Sequence, residues 1–226
     1  MSSEARITPG SRNRRTRRLR FGRVPDPAKA HGAWVYLILS ILAGTLTATG
    51  RGFLPASLVG VGFAGAFLCT SALALVGKRG MAGRLITGLL LAVAGPGIAL
   101  YLGASPSFFA FSLAALGPAA LAGYCAEKHG IVSPQAMAFA VVALVVAAPS
   151  SACAGGASVK TGLLLMIFLA PFFAYRTWKV RNAITSEKGW TRSQLKKQGL
   201  VEVLYGVSWI AFVILAFHLY ALLSPL

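Results

Sequence analysis

Acidic residues are scarce in this chain, with five Asp and Glu against 22 Lys and Arg in 226 residues. Glu4 and Asp26 sit near the start, Glu127 and Glu202 at the edges of apolar runs, and Glu187 in a polar stretch. None occupies the centre of an apolar run, so a membrane proton relay of the Asp/Glu type is not supported. No two acidic clusters are available to hold magnesium on a diphosphate, because magnesium sites need oxygen ligands in sets. That counts against a prenyltransferase with Asp-rich motifs. Cysteine is limited to Cys69, Cys125 and Cys153, without a CxxC spacing. All three read as small buried hydrophobes. Histidine is limited to His31, His129 and His218, none deep in an apolar run, so paired axial haem ligands are not indicated. GxSxG, HExxH and GxxxxGKS motifs are absent. No cofactor and no metal is expected, and the absence of these motifs favours a non-catalytic protein over an enzyme.

What the chain does have is apolar length. It is 56% hydrophobic and 12% charged, with a mean hydropathy of +0.70, whereas an average soluble domain is about 25% charged. Seven apolar runs occur, at 32–49, 53–76, 85–103, 107–126, 134–154, 159–175 and 200–223. At about 1.5 Å per residue, with tilt and interfacial flanks, each can cross a hydrocarbon core of roughly 30 Å. Helix is the required conformation, since a lipid-exposed backbone must satisfy its own hydrogen bonds and these runs lack barrel-type alternation. The expected fold is an all-α, polytopic membrane helical bundle of about seven transmembrane helices.

The basic residues fix the expected orientation. Three connections, near Gly50 to Gly52, Ala104 to Pro106 and Gly155 to Ser158, are short and nearly uncharged, and the others carry the charge. Placing the amino terminus in the cytoplasm puts every Lys and Arg except Arg51 and Lys160 on the cytoplasmic side. The carboxyl end, Ser224-Pro225-Leu226, then lies outside. The net charge of +17 is thereby explained by topology, and no nucleic-acid partner is expected. No cleavable signal peptide is expected either, since the first apolar run lacks a small-residue cleavage site and is followed by many more.

Residues 1–29 form an Arg-, Ser- and Pro-rich arm that cannot bury enough surface to offset its ordering entropy, so it is expected to be disordered. Its arginines between Arg12 and Arg20 are expected to attract anionic lipid headgroups. The transmembrane helical domain occupies 30–226, with a cytoplasmic loop at 176–199. In that loop Thr191-Arg192-Ser193-Gln194 has the form of a capping box that starts a helix toward the last span. Trp178 and Trp190 are expected at headgroup level. Within the spans, Pro96, Pro118, Pro149 and Pro171 predict kinks, with Gly95-Pro96-Gly97 the best candidate for unwinding. Gly60, Ala64 and Leu68, with Gly62 and Gly65, predict close helix packing without polar glue.

The candidate site consists of His31, Trp34, Glu127 and Arg181, all expected at the cytoplasmic side. His31 and Trp34 are three apart and share a helix face. Glu127 needs a partner if it lies below the headgroups, and His31 or Arg181 can supply a charge-assisted hydrogen bond.

His31-Gly32-Ala33-Trp34 directly before the first span resembles the opening signature of the YwiC-like family of bacterial membrane proteins. Lys78-Arg79 after the second span, Ala126-Glu127 before a small-residue-rich span and Val180-Arg181 after the sixth span resemble further steps of that pattern. The resemblance covers roughly residues 28–223. The arm is longer and more basic than the pattern, and Lys179 stands where the family has tyrosine before the valine. The resemblance implies an integral protein of the bacterial inner membrane without an established activity. Small residues throughout the spans and the lack of buried charge favour an accessory or scaffold protein with a possible membrane-protein partner. The alternative reading is a lipid- or small-molecule-handling transporter or transferase with a cytoplasmic-side pocket.

Overall fold

The computed structural model describes residues 31–48, 52–73, 80–130, 133–185 and 192–223, and the basic arm of residues 1–29 lies outside them. Among the described residues the chain forms nine helices and no strand: α1 (His31–Thr47), α2 (Phe53–Leu73), α3 (Met81–Tyr101), α4 (Phe108–Ala114), α5 (Leu116–His129), α6 (Pro134–Val145), α7 (Ala147–Ala154), α8 (Val159–Thr185) and α9 (Arg192–Leu223). Six stretches are long and apolar enough to cross a membrane, and α1 adds a shorter apolar helix. The chain is a multi-pass membrane helical bundle.

The pairs α4–α5 and α6–α7 are each one span with a single-residue interruption, at Ala115 and Val146. Each interruption lies three residues before a proline, Pro118 or Pro149. The missing proline N–H leaves the carbonyl four residues earlier, Ala114 or Val145, without its helical partner. Neighbouring bonds survive, Ala119 N to Ala115 O at 3.0 Å and Ser150 N to Val146 O at 3.2 Å, so helical bonding resumes at once in both spans.

Gly95-Pro96-Gly97, expected to unwind, lies inside an unbroken α3. The reason is packing. A Cβ on Gly95 would lie 2.5 Å from the Leu58 carbonyl oxygen, and the Pro96 ring sits 2.8 Å from where a Gly62 Cβ would be. The motif lets α2 and α3 touch backbone to backbone, and the contact supports the helix across the proline. Gly65 and Gly88 continue this seam, since a Cβ on Gly65 would lie 2.6 Å from the Gly88 carbonyl oxygen. Gly60 faces Ile41 of α1 instead, so the glycines of α2 serve two neighbours and not one face.

The centre of the bundle is α7, every residue of which is buried. Gly44 of α1 packs against the Ala148 carbonyl and lies beside Ser151, and the Ser112 hydroxyl of α4 donates to Ser150 at 3.3 Å.

The three nearly uncharged joints meet at one end. Gly52 touches Gly155, and Ser105 N donates to Ala154 O at 3.3 Å. At that end α3 and α7 both finish with a left-handed glycine, Gly103 (φ 87°) and Gly156 (φ 91°). The bonds Ala104 N to Ala99 O, 2.9 Å, and Ala157 N to Ala152 O, 3.0 Å, close the last carbonyls in Schellman fashion. The opposite, basic end carries the start of α1, the α5–α6 and α8–α9 joints and the long extensions of α8 and α9.

These extensions correct the expected loop at 176–199. Helix α8 has 27 residues and α9 has 32, about 40 and 48 Å at 1.5 Å per residue, both longer than a hydrocarbon core. Hydropathy falls after Tyr175, but the helix continues. Only 186–191 separates the two, and Thr191 and Trp190 lie in that stretch, outside the described residues.

Candidate functional site

Two features sit at the basic end, a buried ion pair and a cleft. Arg176 and Glu202 are 7% and 8% exposed. Arg176 Nε donates to Glu202 Oε2, and Gln198 Nε2 donates to the other carboxylate oxygen, Oε1. The guanidinium lies 4.2 Å over the Tyr205 ring, a cation–π contact that holds its plane. From α1, the Tyr36 ring packs at a tilt against Phe173, with centroids 4.8 Å apart.

This cluster is where the apolar parts of α8 and α9 end, so one arginine and one carboxylate are removed from water at the same level of neighbouring helices. Such a pair is stable only with good geometry and satisfied remaining groups. Here satisfaction is incomplete. Arg176 Nη2 and the Thr177 hydroxyl are buried with no hydrogen-bond partner among the described residues. The Tyr36 phenol is directed at the Thr177 hydroxyl and lies in the field of both charges, but it does not meet Thr177 Oγ1 in ordinary hydrogen-bond geometry.

Beside this cluster, Pro134, Met137 and Ala138 of α6 and Ala174, Thr177, Trp178 and Arg181 of α8 line a cleft of about 250 Å³. Its α6 wall is fixed by a capped helix start: the Ser133 hydroxyl accepts from Ala136 N at 3.3 Å, with Pro134 at the first helical position. On the α8 wall Trp178 is exposed, with the Tyr175 ring 6.2 Å away. Arg181 is half-buried and contacts Asn182 Oδ1 at 3.3 Å.

Of the residues proposed from sequence, Arg181 lines the cleft, and Trp34 and Glu127 do not. Trp34 packs edge-on against Phe67 of α2, with centroids 4.8 Å apart. Glu127 is exposed near the end of α5 and makes no ion pair or hydrogen bond among the described residues, so the partner expected for it is not found there. His31 opens α1, and its side chain lies outside the described set. His129 is exposed. His218 donates through Nε2 to the Leu46 carbonyl at 3.3 Å, joining α9 to α1. The cysteines are free thiols, with Cys125 and Cys153 buried. Among the described residues no three His, Cys, Asp or Glu side chains gather as a metal site.

Sequence reasoning missed Arg176 and Glu202, taking the first as a loop residue and the second as a helix-end residue. The signal was present: each stands alone at the boundary between an apolar and a polar segment, on consecutive helices that must run antiparallel. No protein-family model, no curated protein sequence and no solved structure matches the chain.

Proposed function

We propose that this is a multi-pass protein of the bacterial inner membrane, of the YwiC-like type, that holds a lipid or similar amphiphile in the cleft between α6 and α8 at its cytoplasmic face. The observation behind this reading is the composition of the cleft. Met137, Ala138, Ala174 and Trp178 offer an apolar wall, and Arg181 adds a cation where helix α8 leaves its apolar stretch. Apolar walls with a few convergent polar groups are the usual make-up of small-molecule sites. A basic group on the cytoplasmic side attracts anionic headgroups.

The test is photolabelling in membranes with an anionic phospholipid that carries a photoreactive group on its acyl chain. Adducts are expected at Met137 and Trp178, and Ala138→Trp, which fills the cleft, should abolish them. Labelling spread evenly over the lipid-facing residues of α3, and unchanged by Ala138→Trp, would contradict the reading.

A second reading, an accessory or scaffold protein, is favoured by the glycine seam of α2 and α3, which devotes one face of α3 to packing. It predicts a protein partner that cross-links to the bundle in membranes and is still captured from Ala138→Trp.

A further inference from the structure

We propose that Arg176 and Thr177 form an oxyanion-recognition site, and that Glu202 is its displaceable internal counter-ion. The ligand class is a phosphate or carboxylate group, carried by a lipid headgroup or free in solution. Recognition itself stands on the buried cluster, while the route for a lipid-borne oxyanion rests on the cleft reading above.

Arg176 has unused donors. A guanidinium carries five N–H donors in a rigid fork that suits the oxygens of carboxylates and phosphates. Glu202 grips Arg176 through Nε alone because its second oxygen is taken by Gln198. Arg176 Nη2 is left buried without an acceptor, and a buried charged donor in that condition is more costly than an ordinary lost hydrogen bond. The next residue, Thr177, adds a second buried polar group, a hydroxyl that makes no hydrogen bond of ordinary geometry among the described residues, with the Tyr36 phenol its neighbour. Thr177 also lines the cleft, so it joins the ion pair of its neighbour Arg176 to a space open to an incoming molecule.

The balance of groups selects the ligand. The one carboxylate already has two donors, whereas the guanidinium has donors to spare, so an additional acceptor fits and an additional cation does not. An arriving oxyanion can take the Nη2–H and the Thr177 hydroxyl, and compete with Glu202 for Nε. Tyr205 beneath the guanidinium keeps the fork in plane during the exchange.

Thermal unfolding of the purified full-length chain in neutral detergent tests the site, with inorganic phosphate titrated against chloride at constant ionic strength. Ligand that binds only the folded state raises the melting temperature by mass action. Glu202→Gln removes the internal competitor, so it should melt below wild type in chloride and recover in phosphate. Its midpoint should lie at about tenfold lower phosphate than that of wild type. Thr177→Val/Glu202→Gln should respond weakly, and Arg176→Gln/Glu202→Gln not at all. A melting temperature of Glu202→Gln that is identical in phosphate and chloride would overturn the proposal. So would an equal response from the variant lacking Arg176. A purely structural ion pair predicts loss of stability without anion-specific rescue. If Glu202→Gln does not fold, loss of the weaker wild-type response in Thr177→Val supports the site, and its persistence overturns it.

Phosphatidate micelles tested beside inorganic phosphate on Ala138→Trp/Glu202→Gln separate the sources. Loss of the phosphatidate response alone identifies a lipid headgroup reached through the cleft. A response to phosphate but to phosphatidate in no variant identifies a free anion, which sustains the oxyanion site and removes the cleft reading.

Discussion

The region built from α1, α2, α3 and α7 and the region built from α6, α8 and α9 are held together by different means. In the first, backbones approach through Gly44, Gly62, Gly65, Gly88 and Gly95, and a methyl group added at these seams has nowhere to go. In the second, contact is made by large side chains: Phe172 stacks on Trp209 with centroids 5.1 Å apart, the Trp209 indole donates to the Phe168 carbonyl at 3.2 Å, and Arg176 is tied to Glu202. Small residues give close van der Waals contact, and the buried groups without a hydrogen-bond partner there, the Ser40, Thr45 and Ser151 hydroxyls, are neutral. The cleft and the orphaned charged donor, Arg176 Nη2–H, both lie in the second region. Rigidity and binding capacity are thus separated along the chain.

Breaking the ion pair should have the largest effect. Arg176→Met leaves Glu202 buried and uncompensated, and a loss of about 3–5 kcal/mol is expected in a detergent unfolding titration. Arg176→Met/Glu202→Leu should recover most of it, because a buried pair exchanged for apolar residues is often neutral or stabilising. If the double variant is as unstable as the single, the pair does more for stability than the comparison allows.

The glycine seam should come next. Gly65→Leu forces α2 from α3 and should lower stability by about 1–3 kcal/mol, the usual range for overpacking, read from the same titration. A neutral result would mean that the seam yields and is not the rigid region. Trp34→Ala removes one edge-to-face pair with Phe67 and should cost about 0.5–1.5 kcal/mol beyond its lost area. Glu127→Gln, at an exposed position, should stay within about 0.5 kcal/mol of wild type, and a large loss would restore a partnered role for Glu127.

Much of the fold was legible because membrane spans announce themselves by length. The starts at Phe53, Pro134 and Val159 follow directly from where apolar runs begin after short polar joints. Helical persistence beyond an apolar run was not legible, since the turns after Tyr175 have neither hydropathy nor a breaker to mark their end. Gly95-Pro96-Gly97 was misread because breaking propensity is local, whereas the partner that fits against it, Gly62, is a neighbour only in three dimensions. The candidate site suffered from the same limit. Arg181 reaches the cleft because its position follows from the end of α8. Pairing Glu127 with it required knowing which helices adjoin, and the pair that exists, Arg176 with Glu202, joins two helices that are consecutive in the chain.

The most direct test of the division between a packed region and a binding region compares one added side chain in each. Gly65→Ala and Ala138→Trp are purified from membranes, and both melting temperature and bound lipid, by native mass spectrometry, are measured against wild type. The account predicts that Gly65→Ala melts lower but keeps its lipid, and that Ala138→Trp melts near wild type but loses it. Loss of lipid from both in proportion to stability, or from neither, would contradict it.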